Sequence, residues 1–167
     1  MARKSRCILP WGIALGLFLL LLGVATACSS GGNAEQESPT PSLTRVNEAG
    51  NVTIEATWVT AAHRQQLALP ALSEYPPEDY ILIHLTLDTH SVDLSKYQLA
   101  TLAVLTLPDG SSAAPAAWVG ISDSGHHRED ILVFPGQVDE EGLPPQGGVQ
   151  MVLRGIAGVS ERIFRWE

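Results

Sequence analysis

The side chains of this sequence best suited to chemistry are its histidines. All five, His63, His84, His90, His126 and His127, lie beyond Asn51. His90 follows Asp88-Thr89, and His126 and His127 are adjacent, with Asp123 and Glu129 close by. Imidazole and carboxylate together suit Zn(II), Cu(II) or Ni(II). A centre built from His90, His126, His127 and Asp88 is therefore the divalent-metal site these residues allow. Neighbouring residues on a strand point to opposite faces. His126 and His127 can both reach one centre only from a loop, as the preceding Ser122-Asp123-Ser124-Gly125 permits. No zinc spacing such as His-Glu-x-x-His is present. The same residues also fit a structural role, which is the preferred reading. Asp88 and Ser91 can bond local backbone and shape a turn, and Gly125 to Asp130 can form a solvated or salt-bridged edge. His84 reads as a surface or edge residue, and His63 as a loop residue without a role.

Other chemistry finds less footing. Asp88, Asp93, Asp123 and Asp130 offer oxygen ligands for calcium, but no loop has EF-hand spacing. Ser111, Ser122, Ser124 and Ser160 are available as nucleophiles, yet none sits in a Gly-x-Ser-x-Gly elbow. Glu78-Asp79 and Glu140-Glu141 lie beside prolines and read as solubilising loop residues. The chain is expected not to be an enzyme. Trp58, Trp118 and Trp166 fall on apparent strands, where an indole is usually core with its N–H bonded to a carbonyl. An exposed set of them would point instead to sugar or peptide recognition.

These side chains are carried by segments with strand periodicity. Val52 to Trp58 and Tyr80 to Asp88 alternate with period two, the pattern of half-buried strands. Leu99 to Leu107 reads as a strand ending at the turn Pro108-Asp109-Gly110, with Ala113 to Val119 returning as its hairpin partner. Ile131 to Phe134 is a short apolar run. Val149 to Ile156 and Glu161 to Trp166 form a C-terminal hairpin around Ala157-Gly158-Val159-Ser160. Ser91 to Gln98 allows one short helical turn, since Asp93 can cap it, and no other window is helical. The segment Ala61 to Asp79 reads as a long loop that either serves function or packs over the sandwich. About seven strands in so short a span predict an all-β fold: a single immunoglobulin-like antiparallel sandwich, with a small barrel as the alternative. The length excludes a Rossmann or TIM-barrel enzyme.

The amino-terminal region carries a different signal. Met1 to Arg6 is basic, Ile8 to Ala27 is apolar, and Val24-Ala25-Thr26-Ala27-Cys28 precedes the flexible Ser29-Ser30-Gly31-Gly32. This order resembles the signal peptide and lipobox of bacterial lipoproteins, with Ala25 where leucine is commonest. The resemblance implies cleavage after residue 27, a covalent lipid such as palmitate and diacylglyceryl on Cys28, and attachment to the cell membrane on its extracytoplasmic face. An uncleaved helix of twenty apolar residues would also just span a bilayer. Residues 28–50 then read as the lipidated cysteine and a flexible linker, and 51–167 as the folded domain. Cys7 falls in the signal, so the domain has no thiol for disulfides or catalysis.

Arg3, Lys4 and Arg6 precede Cys28, leaving seven Lys and Arg against all 18 Asp and Glu. So acidic a surface repels phosphate backbones, which excludes nucleic acid. Asp88-Thr89-His90-Ser91, Gly125-His126-His127-Arg128 and Phe164-Arg165-Trp166 resemble a β-domain of uncharacterised exported bacterial proteins, a resemblance that implies no activity. The functional expectation is a membrane-anchored, non-enzymatic binding module with an envelope protein or glycan as partner. The alternative is a metal-handling envelope domain using His90, His126 and His127.

Overall fold

The computed structural model of the protein describes residues 42–167. The signal and lipobox, including Cys28, lie outside the described residues. Chain order runs β1 (Thr44–Ala49), β2 (Val52–Trp58), α1 (Ala61–Leu67), a 3-10 turn (Pro70–Glu74), β3 (Tyr80–Thr89), α2 (Leu99–Leu102) and β4 (Ala103–Thr106). It continues with β5 (Ser112–Ala113), β6 (Ala117–Asp123), β7 (His127–Pro135), β8 (Val149–Arg154), a 3-10 turn (Ile156–Gly158) and β9 (Glu161–Trp166). Two antiparallel sheets form, ordered β1-β2-β3-β7-β6 and β5-β4-β8-β9. The expected all-β sandwich is what the described residues build, with nine strands among them where about seven were expected. Its connectivity places β2 and β3 side by side, whereas the second and third strands of an immunoglobulin constant domain lie in opposite sheets.

Alternation drives this packing. Ile54, Ala56 and Trp58 of β2, Ile81, Ile83, Leu85 and Leu87 of β3, and Leu132 and Phe134 of β7 meet Leu105, Met151, Leu153, Phe164 and Trp166 from the other sheet. Fully burying each large side chain contributes about 1.5–3 kcal/mol. Trp58 and Trp166 lock one end of the sandwich, ring centroids 5.6 Å apart. As expected for core indoles, each N–H finds a carbonyl: Trp58 donates to Gly142 at 2.8 Å and Trp166 to Leu43 at 2.7 Å.

Several sequence expectations are corrected. β1 falls inside the segment 28–50 read as linker. It pairs with β2 from Thr44↔Thr57 to Ala49↔Val52, so the fold reaches at least to Thr44. The two-residue turn Gly50-Asn51 has φ of 55° and 58°, which is type I′ geometry and matches the twist of the flanking strands. The long loop holds α1, capped by Thr60, whose hydroxyl accepts from the His63 N–H at 3.2 Å. Together with the 3-10 turn it covers the outer face of the larger sheet, burying Leu72 with Val59, Leu82, Ile131 and Val133. Helix and strand also divide what read as one strand, Leu99 to Leu107, at Ala103. The return strand is only Ser112–Ala113, after which the chain crosses to the other sheet through Ala114-Pro115-Ala116. Pro115 has no N–H to continue a ladder.

Candidate binding site

β7 is the strand that organises the site. The sequence reads Ile131 to Phe134 as its extent, but β7 begins at His127 and keeps its alternation through charged residues. Arg128 and Asp130 point inward beside Leu132, and Glu129 points outward. Arg128 Nε donates to Asp130 Oδ2 at 2.5 Å, and its Nη1 donates to the carbonyls of Tyr97 at 2.6 Å and Leu94 at 3.1 Å. Both charged side chains are buried. Burial pushes the Asp130 carboxyl up from its ordinary value against the pull of Arg128. The pair thus replaces apolar side chains at this end of the core and holds down the segment Ser91 to Gln98.

Outside the sheet, Glu129 Oε1 lies 2.7 Å from His84 Nε2. The expectation that His84 is a surface or edge residue is corrected. It sits on the central strand β3 with its side chain 12 % exposed, because α1 covers it. His63 of α1 meets His84 edge to face, so neither is a bystander.

The turn carrying His90 and the turn carrying His126 do come together at one end of the sandwich. Thr89 N donates to the His126 carbonyl at 3.0 Å, and Leu94 N to that of Gly125 at 2.7 Å. The side chains diverge. His127 Nδ1 pairs with Asp88 Oδ1 at 2.6 Å, while His126 Nδ1 lies 3.1 Å from the Val92 carbonyl. His90 is exposed and lines an open cleft beside the Gly50-Asn51 turn, as does Asp88. Asp93 Oδ1 is engaged with Ser95, Asp123 Oδ1 with Gly125 N, and Asp130 with Arg128. Among the described residues, no three His, Cys, Asp or Glu side chains are grouped to hold a metal ion. The arrangement of His90, His126, His127 and Asp88 is that of interlocked turns. Hydrogen bonding to Asp88 raises the pKa of His127.

The sequence expectation fails most usefully at Trp118. Read as core, it is 57 % exposed. Ala117, Val119 and Ile121 turn to the outer face of their sheet, so Trp118 and Gly120 alternate to the inner face, opposite Leu132 and Asp130. β6 is the outermost strand of its sheet, and across from it β5 has only two residues. The inner face of β6 is therefore left partly open. A groove of about 300 Å³ lies there, with Trp118, Tyr97, Leu99 and Ala100 as its apolar lining and Gln98, Thr101, Asp123 and Arg128 among its polar lining. Tyr97 is fixed by its hydroxyl, which accepts from Ala157 N at 2.9 Å. The groove joins an exposed indole to a strand edge that is unpaired among the described residues, which can serve recognition.

No family model matches the chain, and no curated protein matches it. Among solved structures it is similar to a DUF4426 family protein from Pseudomonas aeruginosa, with 10 % sequence identity and a TM-score of 0.42. The likeness covers 74 % of this chain and 91 % of that one, and is too slight to bear on function. Among the described residues, no helix is long and apolar enough to cross a membrane.

Proposed function

We propose that the protein is a bacterial lipoprotein, lipidated on Cys28 and held at the extracytoplasmic face of the cell membrane. In this reading it acts as a non-enzymatic binding module whose contact surface is the Trp118 groove. The amino-terminal order of basic, apolar and small residues before Cys28 supports the anchor. The exposure of Trp118 beside an open strand edge carries the binding role: an indole buries more apolar area than most side chains when a partner covers it, and such anchors dominate interfaces. The partner is an envelope polypeptide, with a glycan as the other class that an exposed indole serves.

Two measurements test this. Labelled palmitate fed to a bacterium expressing the full chain is expected to enter the protein, and Cys28→Ser to abolish that incorporation. Unlabelled wild-type protein would overturn the anchor. Full chain captured from detergent-solubilised envelope is expected to retain a partner that Trp118→Ala loses. Equal retention by both forms would remove the groove from consideration.

A further inference from the structure

We propose that β6 receives an extended, basic polypeptide segment as an added strand, with a side chain of that segment seated against Trp118. The inference rests on the binding-module reading and names its ligand class. Four observations converge on it.

The two outer strands of the larger sheet differ in what covers them. β1 is closed in by β9: Arg162 donates to Asn47 Oδ1 at 2.8 Å and to the Ala49 carbonyl at 2.7 Å, and Arg45 Nε donates to the Arg165 carbonyl. β6 has no partner on its outer side among the described residues. An edge strand presents a row of backbone donors and acceptors that a second chain can satisfy.

The devices that usually blunt an edge are also scarce in β6. Ala117 to Asp123 contains no Lys, Arg or Pro. Its one irregularity is a bulge between Gly120 and Ser122, which leaves the register from Ala117 to Gly120 regular around Trp118.

An added strand would place alternate side chains over the groove. Trp118 supplies an open aromatic face there and Ala100 apolar surface, while Leu99 is buried and the Tyr97 ring already carries Lys96 Nζ at 5.1 Å from its centroid. A glycan could stack on Trp118, but it would leave the backbone groups of β6 unused.

Charge selects the kind of segment. Residues 42–167 hold seven Lys and Arg against all but two of the 18 Asp and Glu. Arg128 offers no net charge to a ligand, because Asp130 and two carbonyls already hold it. Asp123 at the groove is exposed. A cation over an indole face gains further attraction.

The test uses the full chain in detergent micelles and four probes. They are a synthetic alternating lysine–valine peptide, its glutamate–valine counterpart, the lysine–valine peptide N-methylated at every residue, and an N-acetylglucosamine oligomer. Trp58 and Trp166 are buried and Trp11 is common to wild type and Trp118→Ala, so the ligand-dependent protection from iodide quenching that the variant loses reports on Trp118, and calorimetric titration gives affinity. The expected result is binding of the lysine–valine peptide with protection of Trp118. That binding should weaken at least tenfold on N-methylation, on charge reversal and in Trp118→Ala, whose melting temperature should match wild type. Equal affinity for the N-methylated peptide would overturn strand addition, and equal affinity for the glutamate–valine peptide would overturn the basic preference. Binding of the oligomer alone would refute the ligand class while leaving the groove as a binding site. Binding of no probe would refute strand addition, while the envelope capture experiment separately judges the binding module.

Discussion

The imidazoles of His63 and His84 meet edge to face, ring centroids 5.4 Å apart, where α1 lies on the outer face of β3. Burial, with His84 adding to it, holds His63 below its ordinary value of 6.5. The folded state thus resists protonation of His63 and the unfolded chain does not. The unfolded chain binds more protons in the window between the two values, so stability falls as pH drops through about 6.5 toward the lower folded value. Denaturant midpoints measured between neutral and mildly acidic pH are expected to decline, and His63→Gln to flatten that decline. An unchanged slope in the variant would place the effect elsewhere.

His127 acts in the opposite sense. Its pKa is raised by the hydrogen bond to Asp88, so its contribution is complete below the ordinary 6.5 and is lost as pH rises through the folded value. The pair is exposed, with side-chain accessibilities of 49 % and 54 %, and surface pairs are worth little. Nuclear magnetic resonance titration of His127 is the sensitive readout: Asp88→Asn should lower its midpoint, with little change in melting temperature.

The tryptophans separate core from surface. Trp58→Ala removes a fully buried indole and the donor to Gly142, and should cost about 3–5 kcal/mol. Trp118→Ala should stay within about 0.5 kcal/mol. Chemical denaturation of the two variants decides whether β6 is as open as described.

The Gly50-Asn51 turn should not tolerate a side chain at its first position. Gly50 has φ of 55°, and a Cβ there would lie 2.7 Å from the Ala157 carbonyl oxygen. Left-handed backbone alone costs about 1–2 kcal/mol for an L-residue. Gly50→Ala is expected to lose at least that much, with faster amide exchange across β1 than in the core.

Arg162 gives a complementary probe of the same strand. It is buried, and its guanidinium reaches Asn47 Oδ1 and the carbonyls of Ala49 and Val52. Its Nε has no partner in the structure. Truncation strands these acceptors, each worth about 1–3 kcal/mol when left unsatisfied. Arg162→Ala should loosen β1 before the rest of the domain, which hydrogen exchange would show as local opening.

What was legible in the sequence follows the physics of alternation. β2, β3 and the β8–β9 hairpin place apolar side chains at every second position, and their identity is evident without coordinates. Only the carboxy-terminal half of β7 is legible, as Ile131 to Phe134, because its inward positions near His127 hold Arg128 and Asp130, which neutralise each other and so keep the period in charged residues. β1 carries polar residues on an edge, yet the Gly50-Asn51 pair is a two-residue hairpin signal that would have revealed it. α1 has seven residues, too few for an amphipathic period to stand out, although Thr60 marks its start. The grouping of the His90 and His126 turns at one end was readable, but the divergence of their side chains was not. It depends on which neighbour each ring meets. Trp118 was misplaced because sequence alternation assigns faces without saying whether the opposing sheet is wide enough to cover them.

The entry of the chain beside Trp58 has a mechanical meaning. A pull on the chain at Ser42 meets the β1–β2 ladder first at its Thr44↔Thr57 end. The Leu43 carbonyl adds two bonds at that point, accepting from Trp58 N at 3.0 Å and Trp166 Nε1 at 2.7 Å. Resistance to such a pull is set by the unfolding rate and not by equilibrium stability. The Leu43 carbonyl is therefore the first point at which the fold would resist a pull from this end.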